Sequence, residues 1–422
     1  MVEFRRIQNI AVAGLVWLAT SAVGLAQTPT PPTAPLTMQQ AVEIARQKNP
    51  ALLSAAQNLL SVKAQEEQAA VRLNPYLQLG GTNVSLPAQG ASNPYSYSAA
   101  VSRTFELGGK RRWRIDSAKS TTAQTDAQYR TQIQQVTLSV KQAFTAMVIA
   151  KAALKLANDN LADYRREMAI FSERLKAGDL AKLDFMRLDL QLAQFESDQA
   201  AAQANLAQAG DQLQTLLGIA KPSDTFDVAG EVAPPVVPAT RDELEQKALD
   251  ARPDYAASKY AINVADANLK LAKAYSLADP TLEGEYDRSG TYNSAGFWIN
   301  IPVRIFDRNK GNIDTSRFLA QASRFTEVAV HNQVVSDVDQ AWVGYTTAKS
   351  LSDRYTSHYL DEAKQVLDIA QFSYEHGGIA LIDYLDAIRD NRSVTTESLN
   401  AYSQTWMAIH QLSYVTASEV AP

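Results

Sequence analysis

Residues 111–176 run without a proline or a glycine, so the backbone has no cheap place to turn. Apolar side chains keep a three–four spacing through them: Val136, Val140, Phe144 and Met147, then Leu161, Tyr164, Met168, Phe171 and Leu175. After Gly178 the stripe resumes at Phe185, Leu188, Leu192 and Phe195 and runs on to Leu206, Leu213 and Leu216, with Gln199 its one polar lapse. That is a heptad seam, and it predicts that 111–176 and 181–217 fold back as an antiparallel coiled coil. A helix of that length reaches on the order of 100 Å at ~1.5 Å per residue. An ordinary globular domain has no use for such a rod, whereas a device crossing a periplasm does.

The arrangement is written twice. RLKAGDLAKLDFM (174–186) aligns without gaps with SYEHGGIALIDYL (373–385), Gly178 falling on Gly377, Asp184 on Asp383 and Phe185 on Tyr384. RTFELGGKRR (103–112) resembles RIFDRNKGN (304–312), and Asn49-Pro50 and Arg252-Pro253 each follow a short helical stretch. Internal self-similarity of this kind defines structural repeats. One spans 37–220 and the other 240–415, with a second coiled coil predicted over 312–375 and 379–415. The Pro-rich segment 221–239 links them, and 416–422 is left as a tail.

Between the short and long helices of each repeat, period-2 alternation predicts a strand pair. The first pair is about 76–86 and 95–105, the second about 280–288 and 294–303. Tyr95, Tyr97, Ala99, Val101 and Phe105 share one face, as do Ala295, Phe297, Ile299, Ile301 and Val303. The opposite faces carry serines and Glu283, Glu285 and Asp287. Loops 87–94 and 288–294 are rich in turn formers. Four strands of about ten residues can cross a bilayer when tilted, but they cannot close. The smallest barrels have ~8 strands, so at least two chains must combine. In that setting the acids Glu283, Glu285 and Asp287 face the lumen. Tyr76, Tyr95, Tyr97, Tyr286 and Tyr292 are available as interface anchors on the lipid side.

The N-terminus reads as an export signal: Arg5 and Arg6, an apolar run from Ile10 to Ala19, and small residues before a cut after Ala26. Residues 27–36 form a Pro-rich leader. No later run reaches ~18 apolar residues, so a membrane protein of this sequence must use strands. The chain's net charge of -5 argues against a nucleic-acid partner. With no cysteine and only four scattered histidines, no transition-metal site, thiol chemistry or cofactor site is expected. Gly108-Gly109-Lys110 lacks P-loop spacing and reads as a strand-to-helix junction, with Arg111, Arg112 and Arg114 solvated beside it.

A duplicated strand pair and long coiled coil behind a signal peptide resembles the TolC-like outer membrane efflux family. The most specific pieces are Asn49-Pro50, AGDLAKLD (177–184) and YEHGGIALIDYLDA (374–387). FELGGKRR (105–112) and PVRIFDRNKGNI (302–313) look like its cobalt–zinc–cadmium resistance subgroup. The resemblance implies a homotrimeric, 12-stranded β-barrel in the outer membrane, continued by a periplasmic α-helical barrel. It implies a passive duct, not an enzyme, docking through a periplasmic adaptor on an inner-membrane pump of the resistance-nodulation-division type. It further implies a gate at the hairpin ends. The family pattern Gly-x5-Asp-x2-Asp, counted from Gly377, falls on Asp383 and Asp386, which by threefold repetition would form two acidic rings. Tyr374 and Asp184 match a family tyrosine–aspartate link, here expected as a hydrogen bond in the closed state. The family arginine two residues after the tip glycine is Ile379 in this chain. Gly178, Asp179 and Leu180 with Gly377, Gly378 and Ile379 form the tips expected to meet the adaptor. Asp179 and Asp184 are also readable as helix caps, but the match in both repeats favours the gate. The competing readings are a pore-less periplasmic adaptor or scaffold, and an enzyme for which no catalytic constellation is present.

Overall fold

A computed structural model describes residues 35–82, 96–223 and 225–421. The export signal, loop 87–94, Tyr95 and the far end of the first predicted strand therefore lie outside the described residues.

Each repeat begins with two helices where one was expected: α1 (Met38–Lys48) and α2 (Pro50–Ala70), then α5 (Arg241–Ala251) and α6 (Pro253–Ala274). The prolines explain the break. Pro50 and Pro253 end one helix and start the next at its first position, where a missing N–H costs nothing. Asn49 caps α2, its Oδ1 accepting from the N–H of Ala51 and Leu52, while its Nδ2 donates to the Leu216 carbonyl at 2.8 Å.

The strands are β1 (Tyr76–Thr82), β2 (Ser96–Thr104), β3 (Thr281–Ser289) and β4 (Tyr292–Asn300). They form one antiparallel sheet in the order β1-β2-β3-β4, so the two repeats pair through β2 and β3. The turn between β3 and β4 is only Gly290–Thr291, tighter than predicted, so β4 starts earlier and stops before Pro302. Register puts Glu283, Glu285 and Asp287 on the face of Ser98, Ser102 and Trp298. Trp298 Nε1 donates to Glu285 Oε2 at 3.3 Å. Tyr97 and Tyr286 stand on the opposite, apolar face. Tyr76, opposite Ser102, and Tyr292, opposite Ser289, share the face of the acids and are not anchors on the apolar side.

The strand-to-helix junction is as read. Gly108 and Gly109 hold φ of 70° and 72°, and a Cβ on Gly108 would meet Leu277 at 2.8 Å. Lys110, 1% exposed, pairs with Asp279 at 2.6 Å and donates to the Leu277 carbonyl. Asn309 takes the same left-handed turn in the second repeat. Arg112 is exposed as expected, but Arg111 and Arg114 are half-buried. They donate to carbonyls at the C-terminal end of α2, and Arg114 also pairs with Glu106.

The rods are α3 (Lys110–Ala177) with α4 (Lys182–Leu216), and α7 (Lys310–Arg354) with α8 (Leu360–Glu375) and α9 (Leu381–Val415). The first long helix is unbroken. Its counterpart was predicted continuous but passes through a π-helical turn at Tyr355–Tyr359. Below that turn α8 buries none of its residues within the protomer. Two cores sit at mid-rod, one per repeat. Val140, Phe144 and Leu213 anchor the first; Val334, Val338 and Leu412 anchor the second. The linker packs into them through Phe226, Val228 and Val237. The expected tail is also held. Val420 is buried, and Glu419 pairs with Lys141 at 2.5 Å. His410, 3% exposed, meets Thr145 Oγ1 at 2.8 Å between the repeats, and burial pushes its pKa down to about 3.

Candidate functional site

A third core lies where the two hairpins meet, at the end of the rods far from the sheet. Leu161, Tyr164, Phe171, Leu180 and Leu188 of the first hairpin pack against Leu381, Tyr384, Leu385 and Ile388 of the second. Both tips turn on glycine. Gly178 and Gly377 hold φ of 86° and 71°, and each turn returns N–H groups to the last helical carbonyls.

Tyr384 holds the centre. It is 1% exposed, and its hydroxyl donates to Glu167 Oε2 across the hairpins at 2.7 Å. Burial raises the Glu167 pKa, against the lowering effect of that hydrogen bond. Tyr384 itself is raised, by burial first and then by Glu167. On its other side Tyr374 stacks at 5.2 Å and 6° between planes, with the Arg174 guanidinium 6.0 Å from the Tyr374 ring. A cavity of about 520 Å³ opens here, lined by Glu167, Arg174, Gln371, Tyr374 and Glu375.

The expected Tyr374–Asp184 hydrogen bond is not formed. Stacking directs the Tyr374 ring along Tyr384, and Asp184 faces Arg187 at 3.7 Å. The two carboxylates nonetheless differ in what they leave free. Asp383 is exposed, and its Oδ2 accepts from the Ala380 N–H at 3.2 Å, in the first turn of α9. Asp386 lies one turn further on the same exposed face and pairs with Arg389 at 2.7 Å. Sequence reasoning missed both Arg389 and the Tyr384–Glu167 link. Arg389 was findable, since a base three residues after an acid faces it on a helix.

At the tips, Gly178, Asp179, Gly377 and Gly378 are exposed. Leu180, expected on the exposed tip, is instead 8% exposed and belongs to the core with Leu188 and Phe171. Ile379 is half-buried against the same core. The apolar side chains that do reach the surface are Leu183, Met186 and Leu190 of α4, at 60%, 55% and 74% exposure. Their three–four spacing off the heptad seam was legible. Among the described residues no helix is long and apolar enough to cross a membrane, and no group of three or more acids or histidines could hold a metal ion.

Two tip-joined coiled coils carried by a sheet with one apolar face and two open edges define a channel-tunnel protomer, whose sheet is a segment of membrane barrel. The chain belongs to the outer membrane efflux protein family, whose pattern matches residues 41–219 and 244–417. It is similar to the cobalt-zinc-cadmium resistance protein CzcC of Cupriavidus metallidurans, 27% identical over 93% of each chain. It is also similar to the cation efflux system protein CusC of Escherichia coli K12, 26% identical over 78% of this chain and 76% of that one. Among solved structures, CusC superposes with a TM-score of 0.78 over 90% of this chain and 92% of that one, at 19% identity. The open state of the MtrE outer membrane channel of Neisseria gonorrhoeae gives 0.74 over 91% and 89%, at 20% identity. The protein is an outer-membrane exit duct for efflux, with its helical part in the periplasm.

Proposed function

We propose that three copies close a twelve-stranded barrel and that the duct passes divalent heavy-metal cations. A periplasmic adaptor and an inner-membrane pump of the resistance-nodulation-division type would deliver them. The observation that carries this reading is the sheet order β1-β2-β3-β4, in which β1 and β4 each keep an edge unpaired among the described residues. Open edges are not tolerated in lipid, so neighbouring copies must supply the partners. Two copies would give 8 strands, a barrel with little lumen, whereas three give a pore. The heavy-metal reading is supported by the names of the relatives. Scarcity of soft ligands, with no Cys, six Met and four His, suits passage and not retention.

In this reading Asp383 and Asp386 ring the closed periplasmic end, and the tips around Gly178, Asp179, Gly377 and Gly378 meet the adaptor. Leu183, Met186 and Leu190 offer the apolar contact first assigned to Leu180. Glu283, Glu285 and Asp287 line the barrel lumen. The test is single-channel recording of the mature protein in a planar bilayer. A small, cation-preferring conductance is expected; a folded, membrane-inserted protein without conductance would return the pore-less scaffold.

Tyr384 ties the two hairpins by a side-chain hydrogen bond, beside their shared apolar core and the Arg392–Asp198 ion pair. Tyr384→Phe leaves the half-buried Glu167 carboxylate without its donor, at a cost of about 2 kcal/mol. The expected result is a higher resting conductance and faster hydrogen exchange at the tips. Tyr374→Phe, which removes no hydrogen bond, should leave both at wild-type levels.

A further inference from the structure

Rows of side chains run across the apolar face of the sheet, and register fixes their order. Tyr97, Arg288 and Asn293 form the row farthest from the helices. Ala99, Tyr286 and Ala295 come next, then Val101, Gly284 and Phe297, then Arg103, Leu282 and Ile299. Arg288 ends the apolar band and donates to the Gly290 carbonyl at 3.3 Å. Arg103 does not end it. Phe105, Leu107, Ile301 and Val303 continue the exposed apolar surface toward the helices, at 43%, 46%, 58% and 80% exposure.

A strand advances ~3.3 Å per residue, so the six residues from Tyr97 to Arg103 span about 20 Å. At a tilt of ~40° that is about 15 Å of a band about 25 Å tall. Arg103 therefore sits on the lipid side, inside the band, in its periplasmic half. No carboxylate pairs with it among the described residues. Its guanidinium carbon lies 5.2 Å from the centroid of the Phe105 ring, so the side chain leans toward the helical end. A long cationic side chain buried in an apolar band reaches for the interface, and it is kept there by function or by an anion. The rim below carries further cations. Among the described residues Arg72, Arg308 and Lys310 are exposed without a salt-bridge partner, beside the exposed Asp307.

We propose that Arg103 holds the phosphate of a phospholipid of the periplasmic leaflet, with Phe105 as the platform beneath its guanidinium. A planar fork of donors suits two phosphate oxygens at once, and stacking on an aromatic ring orients it. The lean toward the helices selects the periplasmic leaflet over the outer one, and the rim cations complement its anionic lipids. The site rests on the reading of the sheet as barrel wall.

The test is native mass spectrometry of the full mature assembly, extracted in non-ionic detergent and titrated with palmitoyl-oleoyl phosphatidylglycerol. Palmitoyl-oleoyl diacylglycerol, which has the same chains and no phosphate, is the control. Wild type is expected to retain the phosphatidylglycerol with at least fivefold higher occupancy than Arg103→Leu, with Arg103→Lys between them, and to retain diacylglycerol no better than the variants do. Should Arg103→Leu fail to assemble, Arg103→Gln, which keeps donors without charge, takes its place with the same expectation. Wild-type occupancy in an assembled, conducting variant would overturn the site while leaving the duct standing. Equal retention of diacylglycerol, or displacement by lipid A as readily as by phosphatidylglycerol, would overturn it too. A wild-type protein that never partitions with the outer membrane would overturn the barrel reading and the site with it.

Discussion

Replacing Asp383 and Asp386 together by alanine is expected to lower the cation preference of the channel by up to about sevenfold, the limit in which all six carboxylates act with full charge. The size follows from Coulomb's law: two carboxylates in each of three copies, about 8 Å from an axial ion, contribute about 0.5 kcal/mol each in a water-like dielectric. Screening over a Debye length of about 8 Å at physiological salt leaves about a third of the sum, close to 1.1 kcal/mol. The two residues are not equal. Asp386 shares its charge with Arg389 at 2.7 Å, whereas among the described residues Asp383 meets only the Ala380 N–H. Asp383→Ala should therefore have the larger single effect. Arg389→Ala, which frees Asp386, should raise the cation preference above wild type. Reversal potentials under a salt gradient read wild type, the double variant, both single aspartate variants and Arg389→Ala on one scale. A double variant with wild-type selectivity would remove these residues from the conduction path, since six charges at a constriction cannot be electrically silent.

The parts of this architecture that depend on periodicity were legible before any coordinates. A heptad stripe fixes which helix faces pack, and period-2 alternation fixes which strand faces are apolar, so the rods, the strand pairs and the duplication could all be read. Contacts between distant segments could not. Tyr384 aligns with Phe185 in the other repeat and looks like one more seam residue. Its hydroxyl finds Glu167 only because the second hairpin's tip lies across the first. Leu180 looks exposed because it follows a glycine turn, and is buried because the same turn folds it back onto Leu188. The π-turn at Tyr355–Tyr359 carries no proline or glycine to announce it. Tyr76 and Tyr292 were misplaced because the faces of β1, and of residues read as the loop 288–294, become fixed only when the strands pair.

The two repeats solve the same junction with different chemistry, and the difference predicts a stability effect. Asn49 and Arg252 both stand before a helix-starting proline, at 6% and 7% exposure. Asn49 is neutral, and its amide satisfies the backbone directly. Arg252 pairs with Asp254 through Nη2 at 2.6 Å and with Asp337 of α7 through Nη1 at 2.8 Å. Burial works against both charges of the first pair, yet Arg252 holds the Asp254 carboxyl below its ordinary range. Arg252→Met would leave two carboxylates in a half-buried site without their counter-ion. Breaking the pair from the arginine side costs about 1–3 kcal/mol, because the two aspartates, with side chains 35% and 26% exposed, stay partly desolvated without their donor. The urea midpoint should fall with an unchanged slope. Removing the acids as well, as Arg252→Met/Asp254→Asn/Asp337→Asn, should recover most of that loss. The pH dependence has a definite sign. A carboxyl whose folded pKa is depressed contributes stability above its unfolded value of 3.8, and that contribution is lost as pH falls through the lower folded value. Wild type should therefore lose stability in that acid window while the triple variant does not, and a triple variant as unstable as Arg252→Met at neutral pH would show that the arginine acts by packing and not by charge.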